Sequence, residues 1–437
     1  MLGKSSFNFA FIGAGSTNFT LRLLSDILHE SDFIEGGELR LVDIDPVVLE
    51  EVYEAAQALV ASAGRDFTIT KHMDFREAMP GVDFVFFTFV TGCYASWKTD
   101  VEICTRFGAL QAVGDTIGPG GLIRALRNIP VVVEVAREME RVAPNAWAIN
   151  YSNPEGALCL AIEQYTGIRT FGLCHGTPDT VKKLAKEVYH VPPEQLRYSA
   201  AGVNHLTWIT KLEIGGQDVY PDLPRLLRES GFAAREPISA QLYDIYGLYP
   251  APGDRHVGEF FPFYLKEQVL REQGYRWGNV DFAPLDADRA RAAGQVHDLM
   301  AKRSGFADFG TSGESATHFI RALATDKPTV EMANVINRGY IENLSDGMIV
   351  ELPVFVDAFG LHPQKVGALP DGIAAKCETL GREYRLIAQA AVECSRDLAL
   401  QAIMIDPLAA NVPYPAELLD ALLAAYADLL PRGWGMG

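Results

Sequence analysis

The first 200 residues alternate short, almost wholly apolar runs with longer stretches of helical periodicity. The apolar runs are residues 7–12, 39–43, 67–70, 84–89, 146–150 and 170–173. A strand with one wet face alternates polar and apolar side chains. Most of these runs are near-continuous rather than alternating, so helices are expected on both faces of a parallel sheet. Residues 18–29, the stretch from Pro46 and residues 121–142 carry the helical pattern, and Pro46 suits a first helical turn. The class read from this is α/β: a Rossmann-like, doubly wound parallel sheet over residues 1–200, closed by 170–173. A C-terminal α+β domain is expected over 201–437, for substrate, metal and oligomerisation. There, residues 211–219 read as a hairpin around Gly215-Gly216, and 373–403 and 415–430 as long amphipathic helices. Residues 246–262, rich in Pro, Tyr and Gly, read as a loop or irregular lid, and Arg432 to Gly437 as a loose tail.

Composition narrows the partners. With 38 Lys and Arg against 56 Asp and Glu, the net charge is −18 and no basic stripe is present. Nucleic acid and anionic membranes are therefore excluded as expected partners. No apolar run reaches about 18 residues, and the start shows no secretory pattern, so a soluble, cytoplasmic protein is expected. The six cysteines show no CxxC spacing, which fits a reducing compartment.

Two groups of residues carry chemistry. Gly13, Gly15 and Ser16 follow the first strand and open a helix, where a pyrophosphate meets free backbone N–H groups. Asp43 ends the second strand, placed to accept hydrogen bonds from ribose hydroxyls and to favour NAD over NADP. The third position of the glycine pattern is Asn18, so the fingerprint is incomplete. A glycine turn needed for packing alone is the plainer reading. The second group is Cys174 and His175 at the end of the sixth run, with His205 in Val203-Asn204-His205. A soft thiolate joined by an imidazole suits a divalent metal, with Cys174 and His205 as ligands. Asn150, Ser152, Asn153 and Asp115 are expected on the same sheet edge. Singly, each has a bland use: a core cysteine, a turn, a helix cap.

Together these motifs resemble glycoside hydrolase family 4, the NAD- and manganese-dependent glycosidases. The matching elements are Ile12-Gly13-Ala14-Gly15-Ser16, Gly114-Asp115-Thr116 through Pro130, Asn150-Tyr151-Ser152-Asn153-Pro154, Cys174-His175 and Gly202-Val203-Asn204-His205. Val350-Glu351-Leu352-Pro353-Val354 and the stretch from Gln401 to Pro407 also fit. The resemblance implies that NAD oxidises the sugar's C3 hydroxyl, a base removes the acidified C2 proton, and the glycosidic bond breaks by elimination. Water then adds and the hydride returns. It implies Mn²⁺ or another divalent cation on Cys174 and His205, with Asn150 on the cofactor side and Asn153 on the substrate. The candidate catalytic residues are His175, Asp254, His256 and Asp115, with Tyr246 and Tyr249 behind Asp254 and His256 as base.

His175 stands where phospho-sugar members have Asp or Asn, which argues against 6-phosphoglycosides. Gly176 is expected to leave room for a C6 carboxylate and Arg255 to clamp it, so an α-glucuronidase or α-galacturonidase is favoured. The alternatives are an α-glucosidase or α-galactosidase of the same family, an NAD-dependent hydroxy-acid dehydrogenase, and a nucleotide-sensing protein with Cys174 in its core. A homodimer or homotetramer is expected from the resemblance.

Overall fold

The computed structural model describes residues 3–275 and 278–434. Six parallel strands open the chain: β1 (Ser6–Ile12), β2 (Gly36–Val42), β3 (Asp66–His72), β4 (Phe84–Phe87), β5 (Trp147–Asn150) and β6 (Arg169–Gly172). They lie in the order β3-β2-β1-β4-β5-β6, which places the strand-order reversal between β1 and β4. Ligands bind at that crevice in open α/β sheets. Alternate residues of β1 feed two cores, as the unbroken apolar runs require. Phe7, Phe9 and Phe11 pack in one, and Ala10 and Ile12 in the other. On the first face Phe11 and Phe86 stack with centroids 4.9 Å apart.

Residues 170–173 do not close the sheet. β6 is flanked instead by antiparallel β11 (Thr329–Ile336), and the sheet runs on through β12 (Ile349–Asp357), β7 (Leu196–Val203), β8 (Leu206–Ile214) and β10 (Tyr249–Ala251). β9 (Gln217–Asp218) and β13 (Gly360–Pro363) hang on β8 and β12. A strand's own sequence says that it is buried and not which neighbour buries its edge. β8 and β9 form the expected hairpin around Gly215-Gly216.

Other expectations are refined. The helical stretch from 373 breaks into Asp371–Glu393 and Arg396–Ile405, because Cys394 turns left-handed (φ 53°) and the Ser395 hydroxyl caps the second helix. The last amphipathic stretch is helical over Pro415–Ala425. Residues 246–262 are no loose lid: β10 pairs with β8, and Asp254, Val257, Glu259 and Phe260 are buried. Of the expected tail, Trp434 is buried, and residues 435–437 lie outside the described residues. Among the described residues no helix is long and apolar enough to cross a membrane.

The loop before the long helix Gly118–Val142 is held by carboxylates distant in sequence. Asp406 accepts from the Gly118 amide at 2.6 Å, and Glu259 accepts from the amides of Val113 and Gly114, both at 2.9 Å. Burial pushes the Glu259 carboxyl up to about 8, although the two amides oppose the shift. A carboxyl raised on folding stabilises fully below its unfolded pKa, and that contribution is lost as pH rises through the folded value. Glu259→Gln cannot ionise, so it is expected to gain on wild type by on the order of 3 kcal/mol between pH 5 and pH 8. Thermal unfolding across that window checks this, and a pH-independent difference would show Glu259 ionised throughout.

Candidate functional site

The β1-to-helix turn is built for close backbone approach. Gly13 has φ +84° and packs so tightly on Phe89 that a Cβ would collide with it. A Cβ on Gly15 would lie 2.6 Å from Asp43 Oδ2, the atom that accepts the Gly15 amide at 2.7 Å. Asp43 Oδ1 accepts from Asp45 N at 3.0 Å, so this carboxylate fixes the turn from the end of β2. Ser16 caps the helix Thr17–His29 without a side-chain cap bond, leaving that terminus to an anionic ligand.

At the C-terminal ends of β1, β4, β5 and β6 a cavity of about 260 Å³ opens. It is lined by Ser16 from the nucleotide turn together with Asn153, Cys174, His175 and His205. A separate cavity of about 310 Å³, beside Thr105, Pro262 and Lys266, gathers none of these groups.

His205 occupies the tight β7–β8 turn with φ +63°, a conformation costly for a residue with a Cβ. Its Nδ1 lies 2.8 Å from the Thr116 hydroxyl, which itself sits 2.8 Å from Asp115 Oδ1. A carboxylate can only accept, so Thr116 gives its proton to Asp115 and takes the His205 Nδ1–H. Nε2 is then the bare nitrogen. Burial also pulls the His205 pKa down to about 4, which keeps the ring neutral. A neutral imidazole with one nitrogen held by an oxygen acceptor is a prepared metal ligand.

Cys174, on the same cavity, could supply a second donor. Burial raises its thiol well above the usual range, and the nearby carboxyls Glu351 and Glu155 raise it further. These two form a buried floor. Glu155 accepts from Asn334 and Asn204, and Glu351 from Thr177 and Thr207, each at 2.7 to 2.9 Å. Burial pushes Glu351 up to about 7 and Glu155 well above its ordinary range. A thiolate forms here when a cation displaces its proton, so this donor set fits a divalent ion. Among the described residues no group of three His, Cys, Asp or Glu converges that could hold a metal ion.

His175 is exposed at the cavity mouth, and its Nδ1 lies 2.9 Å from Glu314 Oε1. That hydrogen bond, outweighing desolvation, raises its pKa. Asn153, which lines the cavity, donates Nδ2 to Asp115 Oδ2 at 3.1 Å.

The description "Family 4 glycosyl hydrolase" matches residues 8–190, and its C-terminal domain matches 200–409. The chain belongs to glycosyl hydrolase family 4. It is 30% identical to an alpha-galactosidase of Bacillus subtilis, over 97% of this chain and 98% of the relative. It is also 30% identical to an alpha-galacturonidase of Thermoanaerobacter italicus, over 97% of each. A 6-phospho-beta glucosidase of Thermotoga maritima, solved with manganese, NAD+ and glucose-6-phosphate, superposes with TM-score 0.79 at 25% identity. That match covers 97% of this chain and 99% of the other.

Several site expectations for this family 4 enzyme change. Asp254 does not reach the cavity. Its carboxylate is buried on the amides of Ile238 and Ser239, at 2.9 and 2.7 Å, and anchors the helix Pro237–Tyr246. Such an engaged carboxylate makes a poor C2 base, even with burial raising it to about 6. His256 packs edge-on against the His205 ring with centroids 4.5 Å apart, and burial keeps it neutral. Arg255 spends its Nε on the Ala112 carbonyl, away from the cavity. Asn150 is buried and bonded to Ser152 and Cys159, shaping the turn that carries Asn153 rather than facing a cofactor. Gly176 leaves no room for a sugar carboxylate: a Cβ there would lie 2.6 Å from Pro252. Asp115 is not among the residues lining the cavity and accepts hydrogen bonds from Thr116 and Asn153. Burial would raise it, but the Arg124 charge holds it below its usual pKa. Sequence reading gave no role to Arg124, Tyr151, Glu155 or Glu314, all of which line the cavity.

Proposed function

We propose that this family 4 hydrolase cleaves α-linked hexuronides, α-galacturonides above all, using NAD and Mn²⁺. The observation that carries the oxidative mechanism is one cavity joining the glycine turn at Ser16 to Cys174 and His205. When bound, the nicotinamide supplies a hydride acceptor for C3 and the cation supplies positive charge beside the sugar oxygens. Gly13, Gly15, Ser16 and Asp43 hold the dinucleotide, and Cys174 with His205 holds the metal. Asn153, steadied by Asp115, orients the sugar hydroxyls. His175, kept protonated by Glu314, donates its proton to the departing glycosidic oxygen at the mouth.

The likeness to an alpha-galacturonidase supports the uronide, and equal likeness to an alpha-galactosidase makes the α-galactoside the second reading. Both names share the galacto configuration. A panel of p-nitrophenyl α-glycosides, assayed with NAD, Mn²⁺ and a thiol reductant, separates them. The α-galacturonide is expected to turn over at least about tenfold faster in kcat/KM than the α-galactoside, the scale of a good charged contact. Turnover of the galactoside with none of the uronides would overturn the substrate and keep the mechanism. Net NADH formation without sugar release would point to a dehydrogenase.

A further inference from the structure

Arg124 lies on the helix Gly118–Val142 and lines the cavity beside Asn153, Cys174 and His205. Among the described residues lining that cavity it is the one Lys or Arg. It is 8% exposed, yet among the described residues its Nε and Nη1 find no hydrogen-bond partner. Asp115 Oδ2 stands 3.5 Å from Nη1, a charge-pair separation, and that oxygen already accepts from Asn153. Arg127, one turn further along, is the contrast. Its Nε donates to the Thr91 carbonyl, and its two Nη atoms donate to Asp100 at 3.0 and 2.7 Å. Both arginines pack in the same buried region, and one is saturated while the other is not.

The Arg124 guanidinium is also held in place. It lies over the Trp97 ring at 5.8 Å, and Trp97 is tied by its indole N–H to the Val113 carbonyl at 2.7 Å. A buried guanidinium with unused donors is costly unless a ligand completes it.

We propose that Arg124 receives the C6 carboxylate of the substrate and thereby sets the preference for acidic over neutral hexosides. This rests on the hexuronide reading above. A carboxylate brings two strong acceptor oxygens and the opposite charge, which match a planar guanidinium. A neutral hydroxymethyl group brings one weak acceptor and leaves N–H groups buried and unpaired, the situation in which a site discriminates most strongly. Arg255, whose Nε is engaged by Ala112, does not face the cavity, and Gly176 is filled by Pro252.

The test compares the ratio of kcat/KM for p-nitrophenyl α-galacturonide over the α-galactoside in wild type, Arg124→Met and Arg124→Lys, each loaded with NAD and Mn²⁺. The methionine variant is expected to lower the ratio at least about tenfold, to near one, and lysine to restore part of it. Equal losses on both substrates would leave the ratio unmoved. They would show Arg124 to be a structural or hydroxyl-binding residue, overturning the proposal. Calorimetric binding of free galacturonate and galactose reads the same selectivity if the methionine variant is too slow to assay. Wild-type selectivity for galacturonate should vanish in Arg124→Met, and its persistence would refute the role of Arg124 while the hexuronide reading stands. A wild type indifferent to the carboxylate fails the hexuronide reading itself, and does so before any substitution is made.

Discussion

Cys174→Ser is expected to lower kcat/KM by at least about a thousandfold and to strip the protein of its divalent ion. Removing a first ligand should exceed the 10- to 100-fold typical of losing a supporting contact. The substitution keeps the shape and replaces the one donor that can become a soft anion at neutral pH. Serine cannot ionise there, and His205 alone would hold the cation weakly. Desolvation of the half-buried Cys174, with Glu351 and Glu155 nearby, raises its thiol, so its ionisation depends on the metal's charge. Dinucleotide binding should survive, because Gly13 and Gly15 lie in the turn after β1 and Asp43 just past the end of β2. Elemental analysis for manganese, fluorescence titration with NADH and an activity assay on the same preparation read the three effects separately. Full activity in Cys174→Ser would remove the metal centre from the mechanism.

Arg127→Met is expected to cost about 3–5 kcal/mol of stability, the range for stripping one partner from a buried ion pair. Arg127 and Asp100 are both fully buried and joined by two hydrogen bonds, and Tyr426 donates its hydroxyl to the same carboxylate at 2.5 Å. The Arg127 guanidinium also lies 3.9 Å over the Tyr426 ring. Methionine fills the volume and leaves Asp100 charged in an apolar interior. The double substitution Arg127→Met with Asp100→Leu removes that charge and should recover much of the loss. Chemical denaturation of the two variants checks this. A single-variant loss below about 1 kcal/mol would mean that water reaches Asp100.

The parallel half of the sheet was legible because most of its strands, β1, β4 and β5 above all, are apolar on both faces, a pattern that needs no knowledge of its neighbours. The antiparallel half was not. β11 and β12 carry Asn334 and Glu351 inward, since those polar side chains complete the floor beneath Cys174. Such residues erase the apolar pattern for a reason that exists only in three dimensions. The same holds for Glu314, which meets His175 across 139 positions of chain from a segment with no chemistry of its own. Cys174, His175 and His205 could be found because their residue types are rare and suited to ligation. Asp254 shows the opposite error. A carboxylate beside an arginine and a histidine suggests catalysis, yet its two oxygens cap a helix whose start, Pro237, gave no hint of needing them. Gly176 was seen as space, and the structure shows that Pro252 already fills it.

The central claim is that the glycosidic bond breaks by elimination after the C2 proton has been removed, with NAD returned to its starting redox state. Hydrolysis of an α-galacturonide by the NAD- and Mn²⁺-loaded enzyme in D₂O tests this most directly, with the released sugar examined by NMR. The account predicts deuterium at C2 of the product and no net NADH. A product that keeps its C2 proton, released at the same rate, would contradict it and point to direct displacement at C1.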